Sequence, residues 1–328
     1  MNYQTIINHL IIIKMKKLLY SLMAISVMAF GFAACENEGG EEGEKGAKVS
    51  ESDILGNWIS DSIVVNLDAP RQQMQQGEQE FKHAMIVTVS KERMVFMNGD
   101  TLGSYKLEKG VLTIDAYKYV YDEASHQSVR EPYELKVVVK SFSKEKAVIV
   151  VKDVEQYAWD NEKDEEVTFT ADETIYFSRL PEAKGSALTV NKANIVGAWQ
   201  QVYNKYTYIV DGVVSSNGLY PASEAKILEL KADGTLTETY FRMWEPDSKP
   251  NVVEGIWTLK GNKLVTYVGN QITSVDQLEL LPEDYLLDLA QTVSQLTSDF
   301  MALNRRYESS YQGVTEISDI TEYYTKIQ

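Results

Sequence analysis

Apolar and polar residues alternate along much of this chain in short runs, the period of a half-buried β-strand. Val111 to Ile114, Leu135 to Val139, Ala147 to Val151 and Thr174 to Phe177 are rich in β-branched and aromatic residues, which suit a pleated, half-buried surface. Asn98-Gly99, Asp211-Gly212 and Asp233-Gly234 are hairpin-turn dipeptides, because Gly tolerates the positive φ that such turns need. Short strands at this spacing predict an antiparallel barrel or sandwich. One segment breaks the period. Pro282, Glu283 and Asp284 make a helix start, and Leu289, Val293, Leu296, Phe300, Leu303 and Tyr307 follow at alternating spacings of four and three. Arg305 and Arg306 suit the negative C-terminal end of such a helix. The pattern predicts one helix over about 282–307, packed on the β-structure or closing its mouth.

The pattern also occurs twice. Ile54-Leu55-Gly56-Asn57-Trp58 returns as Ile195-Val196-Gly197-Ala198-Trp199. Gly103-Ser104-Tyr105-Lys106-Leu107 returns as Gly255-Ile256-Trp257-Thr258-Leu259, and Tyr176-Phe177-Ser178-Arg179-Leu180 as Tyr323-Tyr324-Thr325-Lys326-Ile327. The order is kept and only the loops differ in length, so the chain reads as two tandem β-units, 51–181 and 187–328, joined by a short linker.

A Gly-x-Trp near the start of each unit, an Asp-Gly-Thr turn at Asp233-Gly234-Thr235 and a Gly-x-Trp-x-Leu strand at Gly255 to Leu259 resemble the lipocalin-like domains of Gram-negative lipoproteins. The first copy departs from the pattern, with Asn98-Gly99-Asp100 in place of the turn and Tyr105 in place of the later Trp. The resemblance implies a mainly β fold of two tandem antiparallel lipocalin-like β-barrels, with Trp58, Trp199 and Trp257 as structural residues. A large ring with one hydrogen-bond donor suits the closed end of a barrel. Small barrels can hold one ligand inside. Tyr117, Tyr119 and Tyr121 alternate on one strand and Tyr206 and Tyr208 on another, so each set projects from one strand face and forms a candidate ligand contact. Plain cross-strand packing is the commoner use of such ladders.

The N-terminus predicts a compartment. Met15, Lys16 and Lys17 give a basic start, an uncharged run of about 15 residues follows, and Ala33 and Ala34 precede Cys35. The run is shorter than the roughly 20 residues of a spanning helix, so it reads as a signal peptide over 1–34. Phe32-Ala33-Ala34-Cys35 resembles a lipobox, which implies lipidation of Cys35 and retention on the cell outer membrane. Met15 is the expected translation start. Residues 35–50 are acidic and Gly-rich and read as a flexible tether. Acidic residues directly after the lipidated Cys resemble a signal for the cell surface, which favours the outer face over the periplasmic one.

Charge and composition narrow the chemistry. The formal net charge is −16, and removal of Lys14, Lys16 and Lys17 with the signal makes it more negative by three. An acidic surface repels phosphates, so nucleic acid is not an expected partner. Cys35 is the only cysteine, and the histidines left after processing, His83 and His126, stand in no nucleophile or ligand motif. Thiol chemistry, a zinc site and a cofactor are not expected, and no metal site is expected from the acidic run at Asp160, Glu162, Asp164 and Glu166, which lacks the Gly and Glu of a calcium loop and reads as a hairpin tip. Enzymatic activity is not expected. Two functions remain: binding of a small apolar or glycan ligand inside at least one barrel, or solid barrels that dock a partner membrane protein.

Overall fold

The computed structural model describes residues 46–66, 85–122, 127–160, 165–222, 225–241 and 249–327. The chain divides into two compact units with the main break after Arg179, residues 85–87 and 96–100 grouping with the second unit.

The first unit opens with a single helical turn, α1 (Glu51–Ile54), started by a capping box in which Ser50 and Asp53 bond reciprocally. Eight strands follow: β1 (Gly56–Asn66), β2 (Ile86–Val89), β3 (Met94–Met97), β4 (Asp100–Glu108), β5 (Val111–Asp122), β6 (Gln127–Phe142), β7 (Lys146–Asp160) and β8 (Glu165–Arg179). They close in sequence order into an antiparallel barrel, β8 pairing back onto β1. The tether is ordered from its C-terminal end: Gly46 N donates to Lys109 O and Ala47 N to Val139 O, so the expected flexible segment does not extend to residue 50.

The second unit repeats the plan. After α2 (Lys192–Ile195), capped by Asn191, come β9 (Gly197–Val210), β10 (Val213–Pro221), β11 (Ala225–Leu230), β12 (Thr235–Phe241), β13 (Asn251–Lys260) and β14 (Lys263–Val268). Two short helices, α3 (Val275–Glu279) and α4 (Glu283–Leu289), precede β15 (Ala290–Leu296), β16 (Phe300–Tyr311) and β17 (Val314–Lys326). Eight strands, β9 and β11 to β17, close through β17–β9 pairing, and β10 adds to the distal half of β9.

The helix expected over 282–307 stops at Leu289, and its remainder is a β-hairpin. The spacing of four and three has another origin. Val293 and Leu303 face each other, a bulge at Ser294 resets the alternation so that Leu296 pairs with Met301, and Thr297 to Asp299 turn the chain. The β-branched Thr292 and Val293 favour the strand. α3 and α4 cover the outer faces of β13 and β14, where Leu278 and Leu286 pack with Ile256 and Val265.

The repeats coincide in register as well as in sequence. Trp58 pairs with Arg179 and Trp199 with Lys326. The first strand of each unit bulges at the same place, Asp61 and Val202, and the sixth at Lys140 and Ser294. Gly103 and Gly255 occupy one position, where an added Cβ would meet a carbonyl of the next strand at 2.1 and 2.3 Å. The turn matching Asp233-Gly234 is not Asn98-Gly99 but the β2–β3 turn: Trp257 N donates to Gly234 O, and Tyr105 N to Arg93 O. Arg93 holds the left-handed conformation there (φ 60°) that Gly234 holds in the second copy (φ 87°).

Candidate functional site in the second barrel

Each barrel is sealed at one end by the same device. The one-turn helix presents a carbonyl to the Trp indole: Trp58 Nε1 donates to Ile54 O at 2.9 Å and Trp199 Nε1 to Ile195 O at 2.8 Å. A cation from the last strand lies over the ring, Arg179 at 3.7 Å and Lys326 at 5.0 Å from the ring centroids. Gly56 (φ 107°) and Gly197 (φ 141°) turn the backbone into the strand, and a Cβ there would strike those cations. The Gly-x-Trp motif is therefore the mould of the closed end. Trp257 is fully buried beside Trp199, with its indole donating to Lys231 O at 3.0 Å.

Above this floor the two interiors diverge. In the first barrel the inward positions of β1, β6, β7 and β8 carry Ser60, Ile63 and Val65, then Val137, Val139, Ile149 and Val151, then Ile175 and Phe177, most of them buried. The buried Glu173 is the ionisable exception among them. In the second barrel the register puts Gln201, Asn204 and Tyr206 where the first has Ser60, Ile63 and Val65. Glu322 stands for Ile175, Tyr324 for Phe177, Gln291 for Val137 and Arg305 for Val151. Glu238 and Lys226 face inward on β12 and β11.

These groups form a hydrogen-bonded stratum. Lys226 Nζ lies 3.3 Å from Glu238 Oε1, with both side chains largely buried, and the Tyr240 hydroxyl donates to Glu238 Oε2. Glu322 Oε2 accepts from Gln291 Nε2 at 3.0 Å and from the Tyr324 hydroxyl at 2.8 Å. Gln201 Nε2 donates to Asn204 Oδ1 at 2.6 Å. Burial, and then the nearby Glu322 carboxylate, raise the Tyr324 hydroxyl well above the ordinary tyrosine value, so it stays a donor. Toward the opposite end from Trp199, Tyr206 bonds Ser318 at 3.2 Å and stacks on Tyr208 at a centroid distance of 6.4 Å. Burial and a bond to Glu316 raise Tyr208 too. Arg305 Nη1 donates to the half-exposed Tyr307 hydroxyl at 2.8 Å, while its buried Nε has no hydrogen-bond partner.

The tyrosines singled out from the sequence separate. Tyr206 and Tyr208 share the strand face of Asn204 and point inward. Tyr117 is on the outer face of β5, 53 % exposed, because Leu112, Ile114 and Ala116 take the inward positions. Tyr119 and Tyr121 continue that strand opposite Arg130 and Ser128, and their side chains lie outside the described residues. Cys35, His83 and His126 also lie outside them. The β7–β8 pairing reaches Asp160 and Glu165, while Glu162 and Asp164 of the acidic run lie outside the described residues. No cluster of His, Cys, Asp or Glu among the described residues could hold a metal ion.

Sequence reasoning missed Glu238, Gln291, Arg305 and Glu322. The signal for Glu322 lay in the repeat itself, since it occupies the position of Ile175, immediately before the matched ends.

No family model and no curated protein matches this chain. Among the solved structures that do is one of unknown function from the DUF3598 family of Nostoc punctiforme. It is 9 % identical and the match covers 84 % of this chain and 97 % of that one, with a TM-score of 0.18.

Proposed function

We propose that this protein is a non-enzymatic binding protein whose second barrel takes a small hydroxylated ligand of glycan type into its interior. One observation carries the reading: on a duplicated scaffold, the second copy replaces an apolar inner layer with acids, amides, tyrosines and cations. The first copy closes with branched apolar residues at most of those positions, so folding alone does not require the exchange. Buried polar groups cost free energy unless paired. An arrangement of donors and acceptors beside stacked Tyr206 and Tyr208 matches the hydroxyls and apolar faces of a sugar better than a purely apolar chain. Glu238 and Glu322 already accept bonds from Lys226, Tyr240, Gln291 and Tyr324, which suits fixed recognition more than proton transfer.

The rest of the reading concerns place. The lipobox-like sequence before Cys35 supports attachment to the outer membrane by lipid, with the acidic tether favouring its outer face. A partner membrane protein, docked by solid barrels, is the competing function. Native mass spectrometry of protein purified from its own host distinguishes the two. The expected result is a small, polar adduct that is lost in the double variant Glu322→Ile, Gln291→Val, which restores the residues of the first copy. An adduct-free protein that still unfolds cooperatively argues for the docking function.

A further inference from the structure

Arg305 holds the one buried side-chain nitrogen or oxygen among the described residues that has no hydrogen-bond partner. Buried donors of this kind are uncommon, and each calls for an explanation. Arg305 follows the inward Leu303 by two residues on β16 and pairs with Ile320, two residues from Glu322 on β17, so it faces the barrel interior. The Glu322 carboxylate is engaged by Gln291 and Tyr324, and the Lys226 ammonium by Glu238. Arg305 forms no ion pair among the described residues; it donates instead to the Tyr307 hydroxyl at 2.8 Å, with the ring centroid 5.8 Å from the guanidinium carbon.

A guanidinium is a rigid fork whose donors match the two oxygens of a carboxylate. Tyr307 occupies Nη1 and steadies the fork, and Nε is left unmet. Val151 holds the equivalent place in the first barrel, so the cation is not demanded by the scaffold. Arg305 is half-buried, in the range where a side chain still reorients toward an arriving group. We infer that the ligand of the second barrel carries an anionic group, a carboxylate in the case of a sugar, and that Arg305 receives it while Tyr206 and Tyr208 line the path of the remainder. This rests on the glycan reading above.

Two fluorescent glycosides that differ only in charge test it on the full mature chain: 4-methylumbelliferyl glucuronide, which bears a carboxylate, and the corresponding glucoside, which does not. A charge-assisted pair predicts that the glucuronide binds about tenfold more tightly. Arg305→Gln abolishes the preference, bringing the glucuronide down to the level of the glucoside. Arg305→Lys, which keeps the charge and loses the fork, retains part of the preference, and thermal unfolding checks that each variant is folded. Equal binding of both glycosides that neither variant alters overturns the role of Arg305 while leaving the glycan reading in place. Binding of neither glycoside to the unaltered chain overturns both.

Discussion

Among single residues, the tyrosines of the second barrel carry the clearest consequence of burial. Tyr203, Tyr323 and Tyr324 are all raised above the ordinary value of 10.0, in each case by burial first. Between pH 10 and their raised values the unfolded chain has lost these protons and the folded chain keeps them. Stability is therefore full below pH 10 and falls as pH rises beyond it. Melting temperature followed from pH 8 to 11.5 should hold level and then decline, with tyrosinate absorbance appearing together with unfolding. Tyr324→Phe should flatten the decline, and an unchanged slope would contradict the assignment. At this scale much was legible in the sequence. Gly56, Trp58, Gly197 and Trp199 announce themselves because one steric problem was solved twice with the same residues. Arg305 was hidden because a position suited to a helix C-terminus and one on an inward strand face look alike in a string of letters.

Among elements, the lesson lies in the segment after Pro282. Spacings of four and three are the mark of a helix, yet a strand with one bulge, a tight turn and a returning strand reproduce them over Val293 to Leu303. Local pattern cannot distinguish the two, because the bulge is fixed by pairing with β14 and β16 rather than by the segment itself. Val293 and Leu303 are direct cross-strand partners, whereas on a continuous helix they would stand about 15 Å apart. Cysteines introduced at both positions, in a chain lacking Cys35, should form a disulfide readily under mild oxidation. Failure to cross-link in a folded variant would restore the helix. The strand-rich runs elsewhere were legible, since alternation and turn dipeptides agree there, as at Asn98-Gly99 and Asp211-Gly212, where both residues of each turn have positive φ.

For the whole molecule, the sequence showed two units because their ends and entry motifs match in order. It did not show that the units differ inside, since that difference appears only once register assigns each residue a face. No helix among the described residues is long and apolar enough to cross a membrane, and lipid on Cys35 would supply attachment without one. Several acyl chains hold far more firmly than one, at about 0.8 kcal/mol per buried CH₂. Cys35→Ser should move the protein from the detergent phase to the aqueous phase in a phase-separation assay and abolish labelling by radioactive palmitate. Labelling that persists in the variant would remove Cys35 from the scheme.

The shared bulges at Asp61 and Val202, and at Lys140 and Ser294, have a consequence for how such a pair can diverge. A bulge decides which later side chains look inward, and because both copies keep these two at the same points, inner residues correspond one for one up to the irregularity after Val151, which β16 lacks. The first barrel is thus an internal blank for the second, carried on the same polypeptide and exposed to the same solvent. The duplicated scaffold lets the lining of one copy differ from that of the other on like walls. An experimenter inherits the same advantage, since the inner residues of either copy can be transplanted into the other as a set.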